Sequence, residues 1–180
     1  MELRELLKDI EIVKIFGEEN KLISDIKNNS NYVEPNDLFI AIKGNMKDGH
    51  SFINNAIKNG SKTIICKKIP NEIKKDITYV VVKKSREVYS KICSNFFNRP
   101  SKKIGLIGIT GTNGKTTTGY YLEQILGNNT IFIGTNNENL FSDITKEKHL
   151  TSPKLFNILK FLSKPKNKTY ENIILEASSH

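Results

Sequence analysis

The 180-residue sequence predicts an α/β fold in two parts. A small N-terminal mixed α/β domain comes first. The start of a doubly wound, mostly parallel sheet carrying a P-loop follows. Short apolar runs alternate with helix-period segments along the chain, the pattern of strands and helices in turn. The apolar run Ile104–Ile109 leads directly into Thr110-Gly-Thr-Asn-Gly-Lys-Thr-Thr-Thr118, and a helical pattern continues to Leu126. The longest apolar runs, Thr78–Val82 and Ile104–Ile109, are far short of a membrane span.

In chain order, Met1–Ile10 predicts a charged amphipathic helix and Leu38–Ile42 a strand. Phe52–Asn59 predicts a helix stopped by Gly60, and Lys62–Cys66 and Tyr79–Val82 two further strands. Pro35-Asn-Asp37 and Lys47-Asp-Gly49 mark turns. Ser85–Phe97 places Val88, Ile92, Phe96 and Phe97 on one helical face, with Ser85 as cap and Asn98-Arg-Pro100 as stop. Beyond it, Ile104–Ile109 predicts a buried strand, with its helix closed by Gly127. Thr130–Gly134 predicts a strand, Asn136–Leu150 a polar loop, Pro153–Leu162 a helix and Asn172–Leu175 a last strand. The division is residues 1–84 for the first domain, 85–101 for a linker helix and 102–180 for the second domain. Two or three strands do not complete a doubly wound sheet, so the second domain is expected to be incomplete. A truncated gene, a split protein and a partial sequence all fit that expectation.

A hydrophobic fraction of 37% permits a core. The net charge of +9 raises the question of nucleic acid, but the lysines are scattered among asparagine and isoleucine, with no aromatic-studded basic stripe. No nucleic-acid partner is expected, and a positive surface favours an anionic substrate instead. The N-terminus lacks the apolar core and cleavage site of a signal peptide, and no membrane insertion is expected. Cys66 and Cys93 lack metal-ligand spacing and fit buried, reduced core thiols. These features together predict a cytoplasmic protein.

The glycine-rich stretch is an anion cradle. Backbone N–H groups and the helix dipole at its mouth favour phosphate. Gly111, Thr112, Asn113, Gly114, Lys115, Thr116 and Thr117 are the candidate ATP-binding residues. Lys115 would reach the β- and γ-phosphates as the candidate catalytic cation, and the Thr116 hydroxyl would face Mg²⁺. The spacing departs from the common P-loop, because Ile109 stands where the first glycine is expected.

The form T-G-T-N-G-K-T-T resembles the nucleotide loop of the Mur ligase family, whose members build the peptide stem of peptidoglycan. Four other stretches resemble family motifs in the family's order. They are Pro35–Gly44 with Asp48-Gly-His-Ser-Phe-Ile53, then Phe97-Asn-Arg-Pro100, Leu150-Thr-Ser-Pro153 and Glu176-Ala-Ser-Ser-His180. The last resembles the branch that adds the third residue of the peptide. The resemblance covers essentially the whole chain but only about the first third of a member. It implies an ATP-dependent ligase with ATP as co-substrate and Mg²⁺ as cofactor. Its substrates would be UDP-MurNAc-L-Ala-D-Glu and an amino acid, joined through an acyl phosphate. The same resemblance implies that the remainder of the ligase lies elsewhere, as a separate chain for instance, and that this portion alone is inactive.

By the same resemblance Glu176 is a Mg²⁺ ligand with Thr116, and Ser30, Thr151, Ser152 and Ser178 hold the UDP substrate. Plainer readings stand beside these. Glu176 also fits a solvated strand end, and Thr151-Ser152-Pro153 fits a helix cap. Ser30 fits a polar turn, since Asn29-Ser30-Asn31 replaces both the acid and the arginine of the family's D-S-R. Asn45 and Met46 fall at the family's nucleotide-touching loop. His50 suits a turn, His149 suits solvent, and His180 fits either a ligand contact or an unplaced end. The alternative function is a non-catalytic remnant that only binds nucleotide or UDP-sugar. The GTPase base-reading motif Asn-Lys-x-Asp does not occur.

Overall fold

The computed structural model describes residues 1–44, 47–135, 138–141, 144, 154–164, 167 and 169–177. The chain divides into two compact units, Met1–Phe96 and Phe97–His180.

The first unit holds β1 (Ile12–Phe16), β2 (Ile26–Lys27), β3 (Leu38–Ile40), β4 (Thr63–Cys66) and β5 (Thr78–Val82). They form one sheet in the order β1-β5-β4-β3-β2. All neighbours are parallel except β1, which runs antiparallel to β5 at the edge. Parallel strands need both faces covered, which explains why β3, β4 and β5 are almost continuously apolar. On one face Phe39, Ala41, Ile64, Cys66 and Tyr79 pack with Ile53 and Ala56 of α2 (Ile53–Lys58). By strand alternation Leu38, Ile40, Ile65, Val80 and Val82 point to the other face, and all are buried. Helices α1 (Leu3–Leu6) and α3 (Ser85–Phe96) pack together, and Asn95 donates to the carbonyls of Leu6 and Lys8 at 2.9 Å each.

Two expectations for this unit need correction. The N-terminal helix is one turn long rather than ten residues, because Leu7 caps it and Asp9 turns left-handed at φ 62°. The strands β1 and β2 lie where the sequence predicts none. Edge strand β1 has an irregular register between Ile12 and Lys14, which breaks the alternation that marks a strand. Only two residues long, β2 carries too little pattern to read.

The second unit is a three-stranded parallel sheet among the described residues, in the order β6-β8-β7. Its strands are β6 (Gly105–Ile109), β7 (Thr130–Ile133) and β8 (Asn172–Glu176), with helices α4 (Lys115–Leu126) and α5 (Leu155–Ser163). Ile131, Ile133, Phe161, Leu162 and Ile173 form the core, joined by Phe141 from a 3₁₀ turn within the span expected as polar loop. The last strand includes Glu176 and β7 ends before Gly134, each a one-residue shift. The expectation that Ile104–Ile109 is buried is also corrected. As an edge strand paired only with β8 among the described residues, β6 leaves Leu106 60% exposed. On α4, Tyr121 and Ile125 are exposed too. No helix among the described residues is long and apolar enough to cross a membrane.

Candidate functional site

Edge strand β6 delivers the chain to the glycine loop, and α4 takes it away. Gly114 caps α4 at φ +78°, the left-handed region where a side chain is strained. Its carbonyl then accepts from the Thr118 N–H at 2.9 Å, opening the helical ladder. The helix therefore begins at Lys115, three residues before the expected Thr118. Three threonines in succession disfavour a helix by propensity, and the loop geometry overrides them.

Lys115 Nζ donates to the Gly111 carbonyl at 2.9 Å and to the Thr112 carbonyl at 3.4 Å. The lysine thus folds back over its own loop. Gly111, Thr112, Asn113 and Gly114 are exposed, while Lys115 and Thr116 are half-buried.

Across the sheet, Glu176 pairs in register with Ile109, the last residue of β6. The ladder extends one step further, with the Ala177 N–H donating to the Ile109 carbonyl at 2.9 Å. This register brings a carboxylate from β8 to the base of the loop. Glu176 is buried, at 3% exposure. Its Oε2 accepts from the Thr116 hydroxyl at 3.0 Å and from the Thr135 backbone N–H at 3.3 Å. The solvated strand-end reading of Glu176 is therefore overturned.

Hydroxyl and carboxylate together are hard oxygen donors, the set that suits Mg²⁺. No group of three or more His, Cys, Asp or Glu among the described residues could hold a metal.

The helix that carries Thr116 is itself pinned. Gly119 of α4 sits against the Phe132 ring so closely that a Cβ would overlap it. Tyr120 packs edge-on to Phe132 at 5.1 Å between ring centroids. Glu123 accepts from the Phe132 backbone N–H at 2.7 Å, tying α4 to β7. Sequence reasoning missed Gly119, Gly134, Thr135 and Phe132. Gly119 inside α4 and Gly134 just after the Phe132 strand carried a signal, since glycine marks close approach.

Ser30 lies in the first unit, in a 3₁₀ turn at Ser30–Tyr32. The Asn29 side chain accepts from the Asn31 N–H at 3.1 Å. The Ser30 hydroxyl is buried and accepts from Asn55 Nδ2 at 2.9 Å, and its carbonyl accepts from Asn59 Nδ2 at 2.8 Å. Asn55 of α2 and Asn59 at its C-cap thus anchor this turn. His50 fixes another turn: its Nδ1 lies 2.6 Å from Asp48 Oδ1, and its Nε2 accepts from the Lys67 N–H at 2.9 Å. The His50 backbone N–H and then its ring hold the Asp48 carboxyl below the usual range. The two thiols are buried and free, and burial pushes Cys66 up to about 11 and Cys93 up to about 12. Thr151, Ser152, Ser178 and His180 lie outside the described residues, as do Asn45, Met46 and His149.

A strand, a glycine loop with a lysine, a helix and an in-register carboxylate define a P-loop α/β protein. Two family profiles cover the sequence nearly end to end: "Mur ligase family, catalytic domain" matches residues 22–110, and "Mur ligase middle domain" matches residues 109–180. The chain belongs to the Mur ligase family. It is similar to the UDP-N-acetylmuramoyl-L-alanyl-D-glutamate–2,6-diaminopimelate ligase of Alkaliphilus metalliredigens, with 36% identity over 100% of this chain and 37% of that protein. A solved structure of a ligase of the same name matches with a TM-score of 0.69 at 19% identity, over 100% of this chain and 36% of the other. The MurF ligase of Thermotoga maritima, solved in complex with ADP, matches with a TM-score of 0.53 at 24% identity, over 86% of this chain and 32% of the other. The two structural likenesses speak to the fold. The chain spans somewhat more than a third of the length of the curated relatives it matches, 37% in the first comparison above.

Proposed function

We propose that this chain supplies the nucleotide- and UDP-substrate-binding portion of an ATP-dependent ligase. That ligase would add the third amino acid to UDP-MurNAc-L-Ala-D-Glu in peptidoglycan precursor synthesis. The observation that carries the reading is the Thr116–Glu176 pair, 3.0 Å apart at the base of the glycine loop. The activity named for the 36%-identical relative, joining diaminopimelate to UDP-N-acetylmuramoyl-L-alanyl-D-glutamate, supports the choice of third-residue addition.

In this reading residues 102–180 bind ATP and residues 1–84 bind the UDP-sugar, with α3 packed in the first unit. The loop N–H groups from Gly111 to Thr117 and the α4 N-terminus receive the phosphates. Lys115 leaves the loop carbonyls and offers its charge to the transferring phosphoryl group. Thr116 and Glu176 would hold Mg²⁺, which supplies charge neutralisation to the phosphate oxygens when bound. The substrate carboxylate takes the γ-phosphoryl group, giving an acyl phosphate and ADP. The amine of the incoming amino acid then attacks the acyl carbon, inorganic phosphate leaves with the C–O bond electrons, and the nitrogen gives up a proton, taken up by the departing phosphate, as the amide forms. Carboxylate is a poor acyl donor until phosphate becomes its leaving group, which is why ATP is consumed.

Thr151, Ser152 and Ser178 are assigned to the UDP substrate by their motif positions. Ser30 joins them: its oxygen accepts from Asn55, and its hydroxyl would donate to uracil. The rest of the ligase acts as partner and completes the site, so this portion alone forms no peptide bond. The cytoplasm, where free thiols persist, is the proposed location.

Calorimetry with Mg·ATP and with UDP-MurNAc-L-Ala-D-Glu tests the reading. Both ligands should bind. Lys115→Ala should weaken ATP binding by at least about tenfold, since a charge-assisted contact carries roughly 1.5–3 kcal/mol. Ser30→Ala should weaken only the UDP ligand. A folded chain that binds neither ligand would refute the proposal.

A further inference from the structure

We infer that the Gly134–Thr135 turn is a positioning element for Glu176, holding its carboxylate against Thr116. The inference rests on the reading of Thr116 and Glu176 as magnesium ligands. Strand β7 pairs in register with β8 up to Ile133 and Leu175. The next step along the two strands brings Gly134 opposite Glu176, at the end where the glycine loop opens.

Two observations converge there. A Cβ on Gly134 would lie 2.7 Å from Glu176 Oε2, inside van der Waals contact. Even an alanine would therefore push the carboxylate away from its place. The Thr135 N–H donates to that same oxygen at 3.3 Å. Glu176 Oε2 is thus held between a side-chain hydroxyl on α4 and a backbone donor after β7. The carboxylate is 3% exposed, so solvent does little to hold it. These contacts, and the room that Gly134 leaves, contribute to its orientation. Precise placement of such a ligand depends on the groups behind it.

Gly134 also faces the Phe132 ring, which a Cβ would overlap. The plainer role is therefore packing, with Gly134 making space for Phe132 and nothing else. A pair of variants separates the two. Phe132→Leu removes the ring atoms from the path of a Cβ. Adding Gly134→Ala to it then tests the contact with Glu176 alone.

The readout is the gain in ADP affinity on replacing EDTA with Mg²⁺, measured by calorimetry on the full chain, with circular dichroism to check folding. Because the Phe132 ring also packs against Gly119 and Tyr120 of α4, the gain measured for Phe132→Leu is the reference for the double variant. Phe132→Leu/Gly134→Ala should lose at least fivefold of it, with affinity in EDTA within twofold. A double variant that keeps the Phe132→Leu gain overturns the inference. Glu176→Gln distinguishes the underlying reading. If that variant keeps the magnesium gain, Glu176 is no ligand and both ideas fall. If it loses the gain while the double variant keeps it, only the positioning role falls. A measurement on the unmodified chain holds even if the double variant does not fold. Mn²⁺ added with ADP should broaden the Gly134 and Thr135 amide signals along with those of the glycine loop. Sharp signals at both residues beside broadened loop amides would also overturn the inference.

Discussion

Asp37 shows how a single buried side chain carries a pH dependence. It is buried, and its Oδ2 accepts from the Glu34 N–H at 2.9 Å. Burial raises its carboxyl above the ordinary value of 3.8, outweighing that hydrogen bond. The folded state therefore holds this proton more tightly than the unfolded state. The resulting stability is fully present below the unfolded value, and it is lost as pH rises through the raised folded value. Asp37→Asn should flatten this part of the stability profile above pH 3.8, measured by urea denaturation across pH. An unchanged slope in the variant would show that other groups cause it. At this scale the sequence was legible where a residue type carries the chemistry. Lys115, Thr116 and Glu176 stand out from their motif. The Thr135 donor does not, because a backbone N–H belongs to every residue but proline and leaves no mark in the sequence.

Elements are where packing decides, and one close approach helps to seat α4. Gly119→Ala would add helix propensity, about 1 kcal/mol. It would also drive a methyl group into the Phe132 ring, which is wholly buried and cannot step aside freely. Overpacking of that kind costs about 1–3 kcal/mol or more. The expected result is a net loss of stability, read as a lower denaturation midpoint; a more stable variant would show that the ring has room to move. The strands of the core were legible as apolar runs bounded by turns, as at Thr63–Cys66 and Thr78–Val82. Burial of β6 was misread for a physical reason. Gly105-Leu-Ile-Gly-Ile109 has the composition of an interior strand, yet apolar composition does not reveal how many neighbours a strand has. In this chain β6 pairs only with β8 among the described residues, and the exposed Leu106 beside that edge predicts concentration-dependent self-association. Leu106→Lys should reduce it in sedimentation velocity, and identical sedimentation of the two chains would remove β6 as the cause.

For the molecule as a whole, the two units differ in how deeply their sheets are covered. In the first, the paired residues of β3, β4 and β5 are nearly all buried. In the second, β6 is largely exposed while β7 is buried. Native-state hydrogen exchange should therefore be slowest at Ile64 and Ile65 of β4 and markedly faster along β6. Equal protection of the two strands would mean that burial does not set the opening energies here.

The folded-back Lys115 has a thermodynamic consequence. Its ammonium already closes a ring with the Gly111 and Thr112 carbonyls. A loop tied to its own side chain has little disorder left to lose when an anion arrives. In the proposed reading phosphate would replace carbonyl as the lysine's partner, and the heat released would be the difference between two sets of hydrogen bonds rather than the whole of one. Recognition at such a loop is an exchange among partners. It should register as a small enthalpy, with affinity that falls as added salt competes for the same charge.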